Sequence, residues 1–169
     1  MIGKLPGHGD FVARGVGSGE RQQIDEWLAA SMAAAREELG DKFEAAFDIA
    51  PPWRFAWRDT RWTAGALVPS IDSAGRRFPL LVAVADLAEE EVRPAAEICE
   101  NAASEAIAKG WSADELLQAI NTSDIASEDS PVHAGWWNDE LGNAGTSVGD
   151  RLPAAILSHM LASVTGAAA

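Results

Sequence analysis

Hydrophobic positions near the start of the chain are scattered, then become periodic at Ile24. Ile24, Trp27, Leu28, Met32, Ala35 and Leu39 recur at spacings of three and four, with Glu26, Arg36, Glu37 and Glu38 between them. That spacing predicts an amphipathic helix with one buried stripe. Gly40 follows the stripe, where a glycine ends a helix without steric cost. Ahead of the helix, residues 3–17 are rich in glycine and hold a proline, which reads as a short strand followed by a structured loop. Behind it, residues 41–47 read as a further short helix capped by Asp41. After Pro51 and Pro52 the period drops to two: Trp53, Phe55 and Trp57 alternate with Arg54, Ala56 and Arg58, as in a half-buried strand. Residues 64–68 make a second strand. Residues 78–85 make a third, apolar enough for the sheet centre, with Pro79 near its start because proline cannot donate into a ladder.

The second half returns to helical spacing. Residues 92–109 predict a helix with Ala95, Ile98, Cys99, Ala102 and Ala106 on one side. A third helix starts at Ser112, because Ser112 and Glu115 have the spacing of a capping box. Residues 121–131 are polar and loop-like, residues 132–137 read as a returning strand, and residues 153–164 form a last helix led by Pro153. Together these elements predict an α/β sandwich: one domain over residues 1–164, a mixed sheet of about four to six strands packed by several helices, and a flexible tail at 165–169.

Composition narrows the class. A chain of 169 residues with 47 % hydrophobic residues can bury a core without a metal or disulfide staple. Cys99 is the single cysteine, which rules out an intramolecular disulfide and a thiolate cage. The first residues lack the basic start and apolar stretch of a signal peptide, and no apolar run approaches the ~20 residues of a membrane span. These features agree with a cytoplasmic protein. Charge is unevenly spread: residues 1–85 hold 10 Lys/Arg against 11 Asp/Glu, whereas residues 86–169 hold 3 against 15. A chain with net charge −13 repels phosphate backbones and anionic headgroups, which disfavours nucleic acid and membrane as partners. The acidic half either keeps the protein in solution or steers a basic partner.

Three clusters carry candidate chemistry. In the first, Lys4, His8, Asp10 and Arg14 lie within eleven positions that also hold Pro6, Gly7 and Gly9, with Gly3 and Gly15 on either side. It is not a Walker loop, in which Gly-Lys-Ser/Thr closes the motif and opens a helix. His8 and Asp10 alternate but supply only two ligands, so neither a metal nor another cofactor is expected. In the second, Arg54 sits between Trp53 and Phe55, either snorkelling from a packed sheet or stacking at the surface. In the third, Asp72 precedes Arg76 and Arg77 across Gly75, a spacing that can build an ion pair fixing the loop or present guanidinium groups to an anion or a partner's carboxylate. Cys99 reads as a buried inert thiol, and Asp139 and Glu140 read as solvated surface. No catalytic residue is expected.

The opening Gly3-Lys4-Leu5-Pro6 followed by Gly9-Asp10-Phe11 and Arg14, the helix bearing Trp27, the Pro52-Trp53-Arg54-Phe55 strand, and the block Gly65 to Leu80 with Asp72, Gly75 and Arg76 together resemble the TagF (ImpM) family. Trp136, Trp137 and the Pro153-led segment are similar to its closing elements. The resemblance implies a non-enzymatic cytoplasmic regulator that restrains bacterial type VI secretion after translation by binding a protein of the apparatus, a forkhead-associated scaffold in particular. The family brings no catalytic residues. Lys4, His8, Asp10, Arg14, Asp72, Arg76 and Arg77 are therefore candidate partner-binding positions. Two alternatives stand beside this reading: a small phosphate-handling enzyme with Lys4, His8, Arg76 and Arg77 around an anion and Asp10 or Asp72 as acid or base, and a structural subunit of the secretion assembly.

Overall fold

The apolar stripe is buried on α1 (Ser18–Leu39) in a computed structural model of the protein, which describes residues 1–139 and 151–166. Gly40 closes α1, and a single 3-10 turn, Gly40–Lys42, leads directly into α2 (Phe43–Ile49). Asp41 is therefore not the expected cap. The turn's own carbonyls supply the acceptors at the start of α2: the Phe43 N–H is bonded to the Gly40 carbonyl, and no side chain is used.

Among the described residues six strands form one sheet: β1 (Ile2–Gly3), β2 (Val12–Ala13), β3 (Trp53–Arg58), β4 (Trp62–Val68), β5 (Leu80–Leu87) and β6 (Gly135–Trp137). Their spatial order is β2-β1-β5-β4-β3-β6. Every pairing is antiparallel rather than mixed. Successive strands β1 and β2, β3 and β4, and β4 and β5 are direct neighbours, and adjacent strands joined by short connections run in opposite directions. Of the returning segment 132–137, only Gly135–Trp137 pairs, opposite Ala56, Phe55 and Arg54 of β3.

The alternation read in the sequence decides which layer covers each face. Trp53 and Phe55, with Leu67 and Leu81 of the neighbouring strands, face a cluster built from α1, α2, Trp136 and α5 (Ile156–Thr165). Ala56, Ala64, Ala66 and Val82 face α3 (Val92–Lys109) and α4 (Ala113–Thr122). The result is three layers, helix–sheet–helix. The α3 face is built from small residues on both sides, with Ala95, Ala96, Cys99, Ala103 and Ala106 fully buried against the alanines of β3 and β4. Ile98 and Ala102, expected on that face, are only half-buried. Small side chains let the helix approach the sheet closely, so added volume has no room to relax. Ala103→Leu should lower stability by about 1–3 kcal/mol, read as a fall in the urea midpoint with an unchanged slope.

Pro153 does not open the last helix. It lies three residues ahead of Ile156, and its carbonyl accepts both the Ile156 N–H at 3.2 Å and the Trp27 indole N–H at 2.8 Å. The indole thereby takes a carbonyl that a helical start would have used, and ties α5 to α1. Thr165 is the last residue of α5, and the remainder of the expected tail, 167–169, lies outside the described residues.

Candidate functional site

The two loops meet. The segment after β1 and the connection between β4 and β5 are stapled by Asp72, which is 2 % exposed. Its Oδ2 accepts from Lys4 Nζ at 2.8 Å and Arg76 Nε at 2.7 Å, while Oδ1 accepts the backbone N–H groups of Ala74 and Arg76, both at 2.9 Å. Two cations and two amides satisfy one buried carboxylate, so the side chain is retained as an anion inside the protein. The Lys4 ammonium, with the Arg76 guanidinium and the backbone amides, holds the Asp72 carboxyl well below the usual carboxylate range against the opposing effect of burial. Gly75, at φ 76°, closes the turn that aims these amides.

Arg76 continues the staple outward: its Nη2 donates to the Gly9 carbonyl at 2.6 Å, and the Ser73 N–H donates to the His8 carbonyl at 3.2 Å. The clasp thus has an inside, Lys4 and Asp72, and an outer rim. Arg76 is 60 % exposed on that rim, and Asp10 is exposed beside it.

The remaining candidate residues secure the clasp to its neighbours. His8 Nε2 accepts the backbone N–H of Ala113 at 3.1 Å, which takes up one of the unsatisfied donors at the start of α4. The Ser112 and Glu115 box forms as read: Ser112 Oγ accepts the Glu115 N–H, and Glu115 returns to the Ser112 N–H at 2.7 Å. Gly7 packs so closely here that a Cβ would lie 3.0 Å from the Gly110 carbonyl oxygen and 3.2 Å from that of Trp111. His8→Ala should cost about 1 kcal/mol of stability by orphaning the Ala113 donor, and His8→Gln, which can still accept, should lose less; paired thermal melts decide it. Arg14 pairs with Asp114 of α4 at 3.1 Å rather than with Asp10 or Asp72. Arg77 turns away to α2, donating two bonds of 2.7 Å to Asp48 and approaching Glu44 at 3.1 Å. The Arg77 guanidinium holds the Asp48 carboxyl below its ordinary range, and the Asp48 carboxylate holds Arg77 above its own.

Lys4, His8, Arg76 and Arg77 therefore do not surround a common anion: each is committed to a carboxylate or a main-chain group. Arg54 serves the sheet in the same way, bridging Glu100 of α3 at 2.5 Å and Asp139 at 2.7 Å. Asp139 also meets Arg93 at 3.6 Å and so is an ion-pair partner that stays exposed; Glu140 lies outside the described residues. Cys99 is fully buried, and burial pushes its thiol up to about 12. Among the described residues no cluster of three or more His, Cys, Asp or Glu is arranged to hold a metal, and no helix is long and apolar enough to cross a membrane.

The family model for the TagF N-terminal domain, type VI secretion system-associated, matches residues 1–123, which include the whole clasp and both loops. The chain belongs to this family. A search of the curated proteins finds no match. Among solved structures, the crystal structure of PA0076 from Pseudomonas aeruginosa PAO1 superposes with a TM-score of 0.60 at 27 % identity, covering 94 % of this chain and 76 % of that one. Residues 124–169 of this TagF-family chain fall outside the family match, yet β6 and α5 complete the sandwich and the superposition extends over nearly the whole chain.

Proposed function

We propose that this domain is a cytoplasmic, non-enzymatic interaction module that restrains type VI secretion after translation by binding a protein of the apparatus, with a forkhead-associated scaffold as the first partner to test. Membership of a type VI secretion-associated family supports the system. The observation that carries the mode of action is the clasp. Lys4 and Asp72 are spent on one another inside it, while the Gly7 and Gly9 backbone, the Asp10 side chain and the outward part of Arg76, itself anchored to Asp72 and Gly9, form an exposed rim. A preorganised rim suits recognition, because little ordering entropy is lost on binding. In this reading Lys4 and Asp72 shape the surface, His8, Arg14 and Arg77 brace it, and Asp10 and Arg76 touch the partner.

The test is co-purification of the domain with the purified scaffold protein of the same apparatus. Asp10→Lys, an exposed change, should weaken capture by roughly tenfold or more through like-charge or unpaired-charge contact, and Arg76→Ala should weaken it further, once circular dichroism shows that both variants are folded. Equal capture of wild type and both variants would remove the rim from the interface. No capture of wild type would remove the scaffold as partner.

A further inference from the structure

Among the described residues β2 is the last strand of the sheet on its side, and no strand pairs with its outer edge. The Met1 amino group donates to the Arg14 carbonyl at 2.7 Å, and the Arg14 N–H returns to the Met1 carbonyl at 3.0 Å. In an antiparallel ladder such mutually bonded pairs alternate with unbonded ones. Ala13, opposite Ile2, is therefore an unbonded position, and its N–H and C=O point away from β1 toward the open edge. The carbonyl is covered by the chain itself: Arg14 Nη1 donates to it at 3.0 Å. An open edge with outward amide groups is a template for a further strand.

Beside this edge lies an open cleft of about 520 Å³ between β2 and the first two turns of α1. Its lining includes Ala13, Arg14, Val16, Arg21, Gln22 and Asp25. Ala13 and Val16 are half-buried against the main core, which gives the cleft an apolar base. Its lining carries two arginines, Arg14 and Arg21, and one carboxylate, Asp25. Among the described residues the Arg14 guanidinium is engaged by Asp114, itself 79 % exposed, and by its own neighbour's carbonyl. The Arg21 side chain is exposed and makes no ion pair among the described residues.

We propose that this cleft receives an extended acidic peptide, which adds a strand to β2 through Ala13 and places carboxylate side chains on Arg14 and Arg21. Main-chain bonds to the edge supply the affinity, and the alternation of the incoming strand puts every second side chain over the arginines. The Arg14 guanidinium acts as a removable cover: when the incoming strand takes the Ala13 carbonyl, that guanidinium is released to pair with a carboxylate. A lysine-rich segment would meet the same two cations as repulsion. The proposal deepens the reading of the chain as an interaction module, giving it a second contact surface next to the clasp and a chemical class of partner segment.

The test is a fluorescence anisotropy titration of the whole protein with labelled octapeptides, one alternating valine with aspartate and one alternating valine with lysine. The aspartate peptide should bind saturably and the lysine peptide should not. Arg21→Glu should weaken the aspartate peptide by roughly tenfold or more. N-methylation of alternate peptide nitrogens should remove binding, and Ala13→Pro, which deletes an outward N–H without touching the bonds to β1, should do the same. Absence of saturable binding, or binding indifferent to both Arg21→Glu and peptide N-methylation, would overturn the proposal. Retained binding of the N-methylated peptide alone would overturn strand addition, and this holds whether or not Ala13→Pro folds. The titration contains no scaffold protein. Its failure therefore leaves scaffold binding standing, and failure of scaffold capture leaves the titration to be judged separately.

Discussion

A chain ending after residue 123, the limit of the family match, should not fold. Truncation there removes β6 and α5, and with them Trp136, Ile156, Leu157, Met160 and Leu161, each 0–1 % exposed. Trp136 lies between the layers, with its ring centroid 4.7 Å from Phe55 of β3 and 5.7 Å from Trp27 of α1. Losing five fully buried large side chains forfeits roughly 1.5–3 kcal/mol each on transfer alone, which together approaches or exceeds the 5–15 kcal/mol that holds a typical domain. The truncated chain should be insoluble, or should show no cooperative melt by circular dichroism. A sharp transition near that of the full chain would mean that the α1, α2 and β3 layer is stable without α5. The single substitution Trp136→Ala should leave a folded protein weakened by about 3–5 kcal/mol, measured by urea unfolding.

The second large effect belongs to Asp72. Asp72→Asn keeps an oxygen for the Ala74 and Arg76 amides but turns an NH₂ group toward the Lys4 ammonium and the Arg76 guanidinium, so donors face donors. Leaving charges unmatched around a buried site is among the costlier single changes, and roughly a third of the domain's stability should be lost at pH 7. The effect depends on pH with a defined sign. The folded-state value of Asp72 lies below its unfolded value of 3.8. Its contribution is thus fully present above the unfolded value and is lost as pH falls through the folded one. The stability gap between wild type and Asp72→Asn should be constant from neutral pH down to about pH 5 and should shrink below about pH 4. A gap that is flat across the acid range would show that the carboxylate is not held as an anion by this network. Lys4→Met should reproduce much of the loss, because it removes the ammonium bonded to the same carboxylate.

Local chemistry was legible in the chain, and distant pairing was not. Residues 92–109 became α3 because alanine spacing and Gly110 leave no other reading, and Ser112 with Glu115 formed its box because both partners lie within one turn. The ion pair between Asp72 and Arg76 was readable for the same reason. Its deeper partner, Lys4, is 68 residues away, and nothing in spacing links the two. A usable signal was present nonetheless: Lys4 stands between Ile2, Gly3 and Leu5, all buried, where a cation needs a carboxylate. β2 escaped notice because two residues are too few to show alternation. Asp41 and Pro153 were misplaced because a 3-10 turn and an indole N–H took over the bonds that a cap and a helical first turn would have made.

Secretion itself gives the most direct test of the proposed role. Raised expression of the chain in cells that carry its own type VI apparatus should lower the amount of secreted substrate. Asp10→Lys at equal cellular abundance should restore it, because the fold is intact and the rim is not. Secretion unchanged by the wild-type chain, or suppressed equally by wild type and Asp10→Lys, would contradict a regulator acting through the clasp.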